Sequence, residues 1–195
     1  MLEIVVAPLA PEAWPLEQLL TQEERRRAAA FAFERDRRRF VAARARLRRL
    51  LGERLGVAPH AVRILYNPQG KPQLAPGYDR DLRFNLAHSG ELAVYAFADG
   101  AHVGIDVEAL REVEDAGDIA ARAFSAGERR ACRAFGFLYC WTRKEAYLKA
   151  LGLGLQQDLQ CLDTSRPPVG WRIESFAPVP GFVAALAVGE RGAPA

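Results

Sequence analysis

The chain has 195 residues, half of them hydrophobic and 26% charged, with a net charge of +3. That length suits one respectable core, or two lobes of about 100 residues each. No apolar run approaches the roughly 20 residues of a membrane span, and the start has neither the basic nor the long apolar region of a signal peptide. Cys132, Cys140 and Cys161 form neither a CxxC nor an even framework, which excludes a zinc ribbon or disulfide scaffold and implies a cytoplasmic protein with reduced, buried thiols.

Residues 2 to 7 (LEIVVA) predict a strand. TQEERRRAAAFAF opens a helix, with Thr21 as N-cap and Glu24 completing a capping box. Arg37 to Leu51 predicts a second helix, with an apolar stripe of Phe40, Leu47, Leu50 and Leu51 and Gly52 as C-cap. VRILYNPQGKPQL reads as a strand, a turn at Asn67 to Gly70 and an extended return. LRFNLAHSGELAVYAFADGAHVGIDVE then predicts an antiparallel meander with turns at Ser89-Gly90 and Asp99-Gly100. Asp118 to Gly152 is helical in pattern, and WRIESF and GFVAALAV supply two last strands.

A faint repeat links the helix ending Leu51-Gly52 to the one ending Leu151-Gly152, and ELAVYAF to GFVAALAV. Superposing the two helices sets Arg44 opposite Lys144 and Ala45 opposite Glu145, so one half alone keeps the carboxylate. The expectation is a single active site in a single chain.

Basic residues are unevenly placed: Arg25 to Arg49 holds 11 of the 27. Lysine occurs only at Lys71, Lys144 and Lys149, which suggests a compact ammonium is wanted at those positions rather than a planar guanidinium. In HVGIDVE, strand alternation puts Asp106 and Glu108 on one face. Two adjacent carboxylates repel, and protonation, facing cations or a hard divalent ion such as Mg²⁺ each relieve the repulsion. A solvated edge strand explains the pair equally simply. In WTRKEAYLKALG, Trp141, Glu145 and Lys149 share a helix face while Lys144 lies about 100° round. This reads either as a surface ion pair or as a carboxylate and an ammonium aimed at phosphate chemistry. The following GLGLQ comes after a helix, so it is not a dinucleotide fingerprint. His88 closes an apolar run at a polar turn, Lys71 is held extended before Pro72, and the helix from Arg35 to Arg49 presents either a solvated face or a phosphate or acidic-protein surface.

In order, the chain carries Gly70-Lys71-Pro72, Phe84-Asn85-Leu86-Ala87-His88-Ser89, Gly104-Ile105-Asp106-Val107-Glu108, Phe124-Ser125 with Glu128, Trp141 to Lys149 as WTRKEAYLK, and Gly152-Leu153-Gly154-Leu155. This set resembles the 4'-phosphopantetheinyl transferases of the surfactin-synthetase-activating type. The resemblance implies an α+β pseudodimer of two similar halves, residues 1–100 and 101–195, with coenzyme A in the cleft between them. It implies Mg²⁺ held by Asp106, Glu108 and Glu145, and Lys149 on the transferred phosphate with Lys144 in support. It also implies Glu145 as base for the carrier serine, and Lys71, His88 and Arg39 on the nucleotide end of coenzyme A, with Arg26 a weaker candidate there. The partner implied is an apo acyl or peptidyl carrier protein.

Two departures stand out. Ala87 replaces a serine common before the histidine, and the stretch from Glu128 to Trp141 is short, which bears on carrier choice. A nucleic-acid-binding module using the arginine-rich helix is the competing reading. It leaves the acidic pair and the Lys-Glu helix unexplained, so neither nucleic acid nor membrane is expected as a partner. An inactive paralogue is disfavoured because every implied metal ligand is present.

Overall fold

A computed structural model describes residues 1–9, 16–154 and 159–190. Its elements are β1 (Leu2–Pro8), α1 (Gln22–Ala29), α2 (Glu34–Leu55), β2 (Ile64–Tyr66), β3 (Pro72–Leu74), β4 (Leu82–Ser89) and β5 (Leu92–Asp99). After these come β6 (His102–Ala109), α3 (Ala116–Ala123), α4 (Ala126–Phe135), α5 (Phe137–Leu151), β7 (Trp171–Phe176) and β8 (Phe182–Gly189). Leu155, the end of the Gly152 to Leu155 run, lies outside the described residues.

The α+β expectation holds, and the repeat is visible in the topology. One sheet runs β1-β5-β4 and the other β6-β8-β7, so in each the first strand pairs with the third and the third with the second. All pairs in both sheets are antiparallel. The predicted meander stops at β5. That strand is bonded to β1 on one side and β4 on the other, so β6 finds no free edge there and pairs with β8 instead. Gly100, at φ 66°, turns the chain from the first sheet to the second.

Burial explains why β5 reads as a continuous apolar run. Ala93, Tyr95 and Phe97 pack with Ala43, Leu47 and Leu51 of α2, and the Tyr95 hydroxyl donates to the Ala43 carbonyl at 3.1 Å. Leu92, Val94, Ala96 and Ala98 face the other way, against Val103, Ile105 and Val107 of β6 and Ala184 and Leu186 of β8. Helix α5 covers the far side of the second sheet through Ala146, Tyr147 and Ala150, packed on Trp171, Ile173, Ala185 and Ala187. β5, β6 and β8 are therefore buried on both faces and lose the conventional in-out alternation, which β1 and β7 keep.

Helix α2 runs past the predicted stop. Its C-cap is Gly56, left-handed at φ 67°, and Gly52 lies inside the helix. A Cβ on Gly52 would stand 2.6 Å from the Val57 carbonyl oxygen, so this glycine serves close packing rather than termination. Of the cysteines, Cys140 is buried as expected, Cys132 half-buried and Cys161 exposed. Among the described residues no helix is long and apolar enough to cross a membrane.

Gly104 fixes how near α5 can approach β6. A Cβ there would lie 2.0 Å from the Ala146 carbonyl oxygen and 2.4 Å from the Ala150 nitrogen, and backbone cannot yield as a flexible side chain can. Gly104→Ala is expected to cost about 3 kcal/mol or more in a urea melt, at the upper end of overpacking penalties. Unchanged stability would mean that α5 sits farther from β6 than described.

Candidate active site

With Val103, Ile105 and Val107 turned into the core between the sheets, strand geometry turns Gly104, Asp106 and Glu108 toward α5. Helical spacing then brings Glu145 and Lys149 to the same side. The Lys149 ammonium donates to Asp106 Oδ1 at 2.5 Å, and Asp106 is only 5% exposed. Burial pushes the Asp106 carboxyl up to about 6; Lys149 opposes this, while Glu145 and Glu108 add to it. Burial likewise raises Glu145, again against Lys149 and with help from Glu108. Three carboxylates on two elements thus repel one another around a single ammonium.

Two side chains of β4 hold this strand against β6. Asn85 Oδ1 accepts from the Ile105 N–H at 2.9 Å, and Ser89 Oγ accepts from the Ala109 N–H at 3.1 Å while donating to Glu108 Oε2 at 2.9 Å. Both β4 and β6 are edge strands, so these side chains do the work of a ladder where none forms. They carry His88, between them in sequence, to the site. Crowding by protein lowers its pKa, and so do the Lys149 and Arg39 cations, with Glu108 and Asp36 opposing. Arg39 of α2 and Lys149 of α5 are therefore both near enough to act on the His88 imidazole, which burial and these two cations keep in its neutral form, and Glu108 of β6 acts on it with the opposite sign. Arg39 itself is forked onto Glu91, its Nε at 2.8 Å and Nη2 at 2.5 Å from Oε1.

Lys71 is only partly where the sequence implies. It lines a cleft of about 200 Å³ with Gly70, Asn85, Leu86, Glu145 and Lys149. Its ammonium, however, donates to the carbonyls of Ala150 at 2.8 Å and Val103 at 3.4 Å, where it satisfies the open C-terminal end of α5. The neighbouring Asn67 Nδ2 bonds the Gly152 carbonyl at 2.9 Å, so the β2–β3 turn is tied to the helix end. Burial lowers Lys71 to about 8, and the Arg83 charge contributes.

Lys144 corrects the sequence expectation. It is 0% exposed, 2.8 Å from Glu128 Oε2, and donates to the carbonyls of Leu159 and Leu162. Glu128 completes the capping box of α4 with Ser125 and accepts from Thr164. Sealed within this network, Lys144 cannot contact a ligand in the cleft. The first half has the same device: Glu24, in the Thr21 capping box, pairs with buried Arg44 and Arg48. Two of the arginines read as a binding surface are thus internal, because the cost of a buried charge is met by a carboxylate on the preceding helix. Arg35 and Arg38 remain exposed, and Arg26 lies exposed on α1.

The donor set suits a hard divalent cation. All three candidate ligands are carboxylates, Lys149 opposes the repulsion at Asp106 and Glu145, and Asp106 Oδ2 is buried with no hydrogen-bond partner among the described residues. Among the described residues no three His, Cys, Asp or Glu side chains stand in a ready-made ligand arrangement; Lys149 holds Asp106 instead. Sequence reasoning gave no role to Glu91, read Asn67 and Ser89 as turn residues, and did not show Asn85 and Ser89 as bridges to β6. Only Asn85 carried a signal, as a polar residue inside an apolar strand.

Comparison with known proteins points the same way. The model of the 4'-phosphopantetheinyl transferase superfamily matches residues 102–177, and that of the 4'-phosphopantetheinyl transferase N-terminal region matches 7–99. The chain is 36% identical over 189 residues to the 4'-phosphopantetheinyl transferase HetI of Nostoc sp., covering 89% of this chain and 80% of HetI. It is 31% identical over 186 residues to a phosphopantetheinyl transferase of Thraustochytrium sp., covering 78% and 65%. Human L-aminoadipate-semialdehyde dehydrogenase-phosphopantetheinyl transferase is 30% identical over 163 residues, and the match spans about half of it, 53%. With the two family models matching successive stretches and a relative matched over four-fifths of its length, this chain belongs to the 4'-phosphopantetheinyl transferase superfamily.

Proposed function

We propose that the protein is a Mg²⁺-dependent holo-carrier synthase of the surfactin-synthetase-activating type, moving phosphopantetheine from coenzyme A to a serine of an apo acyl or peptidyl carrier protein. The observation that carries this is the Lys149 ammonium on Asp106, with Glu145 and Glu108 near enough to raise the Asp106 carboxyl and with Asp106 Oδ2 buried and unpartnered among the described residues. Asp106, Glu108 and Glu145 would hold Mg²⁺, which supplies neutralising charge for a pyrophosphate. The serine oxygen forms a bond to the pantetheine-side phosphorus, the bond to the bridging oxygen breaks, and 3',5'-ADP leaves. Lys149 stabilises the charge on the transferred phosphate, and Glu145, a carboxylate on the same helix face, takes the serine proton. Arg39, His88 and Lys71 hold the nucleotide end. In the repeat, residues 1–100 bring Arg39, Lys71 and His88, and residues 101–195 bring the acids and Lys149. Ala45, the counterpart of Glu145, is 0% exposed, consistent with one site per chain; the internal pseudodimer implied by the resemblance makes a monomer the expected state. The test is intact mass of candidate apo-carriers after incubation with enzyme, coenzyme A and Mg²⁺. Gain of one phosphopantetheine is expected, and no gain across acyl and peptidyl carriers overturns the assignment.

A groove of about 610 Å³ lined by Leu110, Phe135, Phe137, Tyr139, Phe176 and Phe182 begins two residues past Glu108. Leu110 is 61% and Phe135 67% exposed, and we read this groove as the carrier-docking surface. Phe137 stacks on Trp141 at 5.8 Å, so changing it would disturb the fold. Phe135→Ser is the cleaner probe: KM for carrier should rise several-fold with coenzyme A affinity unchanged, and an unchanged KM would place docking elsewhere.

His88 gives a pH signature. Its pKa lies below the ordinary value of about 6.5, so between the two values the folded protein holds fewer protons than the unfolded chain, and His88 makes stability rise with pH there. A bound phosphate favours imidazolium, so coenzyme A binding should take up protons in the same window. Calorimetry in buffers of different ionisation enthalpy should show more uptake for the parent than for His88→Asn; equal uptake would remove His88 from the phosphate site.

A further inference from the structure

Arg39 is already occupied. Its Nε and Nη2 converge on Glu91 Oε1, and Nη1 stands 3.6 Å from Asp36 Oδ1. Glu91 follows Gly90, the left-handed residue of the β4–β5 turn at φ 56°. Its backbone is anchored, the carbonyl accepting from the Leu9 N–H at 2.7 Å, but its side chain is 60% exposed. A pinned backbone with a solvent-exposed carboxylate lets the side chain swing away without moving His88, three residues earlier on the same hairpin. Arg39 and Lys149, the two cations that act on His88, are thus each held by an acid, Arg39 by Glu91 and Lys149 by Asp106. Asp106 belongs to the transfer site, whereas Glu91 has no part in the chemistry.

We propose that Glu91 is a specificity-determining residue: its carboxylate takes the place of a ligand phosphate on Arg39 and yields only to a phosphate at that end of the ligand. This rests on the proposed coenzyme A reading. A phosphate monoester carries about 1.5 to 2 negative charges near pH 7 and offers Arg a two-pronged contact. It can therefore displace a monoanionic, solvent-exposed carboxylate whose pair is worth little. A ligand ending in a hydroxyl cannot. Glu91 thereby lowers affinity for every ligand that uses Arg39 and leaves ligands that do not reach Arg39 unaffected.

The experiment measures Kd of coenzyme A and of dephospho-coenzyme A for the parent, Glu91→Gln, Arg39→Ala and the double variant, at low and high salt. Glu91→Gln should bind coenzyme A about two- to fivefold more tightly, the range of an exposed ion pair, and dephospho-coenzyme A as the parent does. In the Arg39→Ala background the gain should vanish, and high salt should shrink it. Equal tightening for both ligands, or a gain that survives Arg39→Ala, would show a general charge effect and overturn the proposal. Unchanged or weaker coenzyme A binding by Glu91→Gln would overturn it too, making Glu91 an orienting partner of Arg39. A parent that binds neither ligand would instead sink the coenzyme A reading itself, and this inference with it.

Discussion

Asp106→Ala is expected to lower turnover at least about 100-fold, because this carboxylate holds the Lys149 ammonium and, on the proposed reading, would hold one side of the metal, on which several kcal/mol of transition-state stabilisation would depend. The fold should survive. Burial raises the Asp106 carboxyl to about 6, against an ordinary Asp value of about 3.9, so above that window its charge is an expense to the folded protein rather than a support. Lys149, with its side chain 32% exposed, can be solvated once its partner is gone. A urea melt of Asp106→Ala should therefore match or slightly exceed the parent while carrier modification falls. The parent in excess EDTA should lose activity to a similar degree. Full turnover in EDTA would falsify the divalent-cation reading and leave Lys149 as the main neutralising charge.

Lys144→Ala should act through stability instead. It strips the partner from Glu128, which is 1% exposed and sits where α4, α5 and the 159–164 segment meet. Removing one member of a buried pair costs about 3–5 kcal/mol, because the remaining charge is left uncompensated. The expected result is a large fall in urea midpoint and Tm, with coenzyme A binding near normal in whatever fraction stays folded. Lys144→Met combined with Glu128→Leu should recover much of the loss, since apolar replacement of both charges is often close to neutral. A Lys144→Ala protein as stable as the parent but unable to bind coenzyme A would return Lys144 to the ligand site. Arg48 follows the same logic: it is 2% exposed and bonded to Glu24, so a reversal such as Arg48→Glu probes folding and not carrier attraction.

The sequence by itself determined the features whose causes are local. The alternation of HVGIDVE set Asp106 and Glu108 on one face, and helical spacing set Glu145 with Lys149. Thr21 with Glu24 announced a capping box that forms, and the structure adds a second at Ser125 with Glu128. Each depends on residues within a turn or two, where backbone period and side-chain reach decide the outcome. Only the tertiary structure decided which charge meets which. Helical period says that Lys144 and Lys149 differ in direction, not which one is sealed inside. That followed from α5 lying on β6 at Gly104, which left Lys149 over Asp106 and drove Lys144 against Glu128. Nor could local pattern show that β6 would pair with β8, since the reason is that β1 and β4 had already taken both edges of β5. Pairing of strand edges and of buried charges joins residues far apart in the chain, and only packing fixes which of the available partners each one finds.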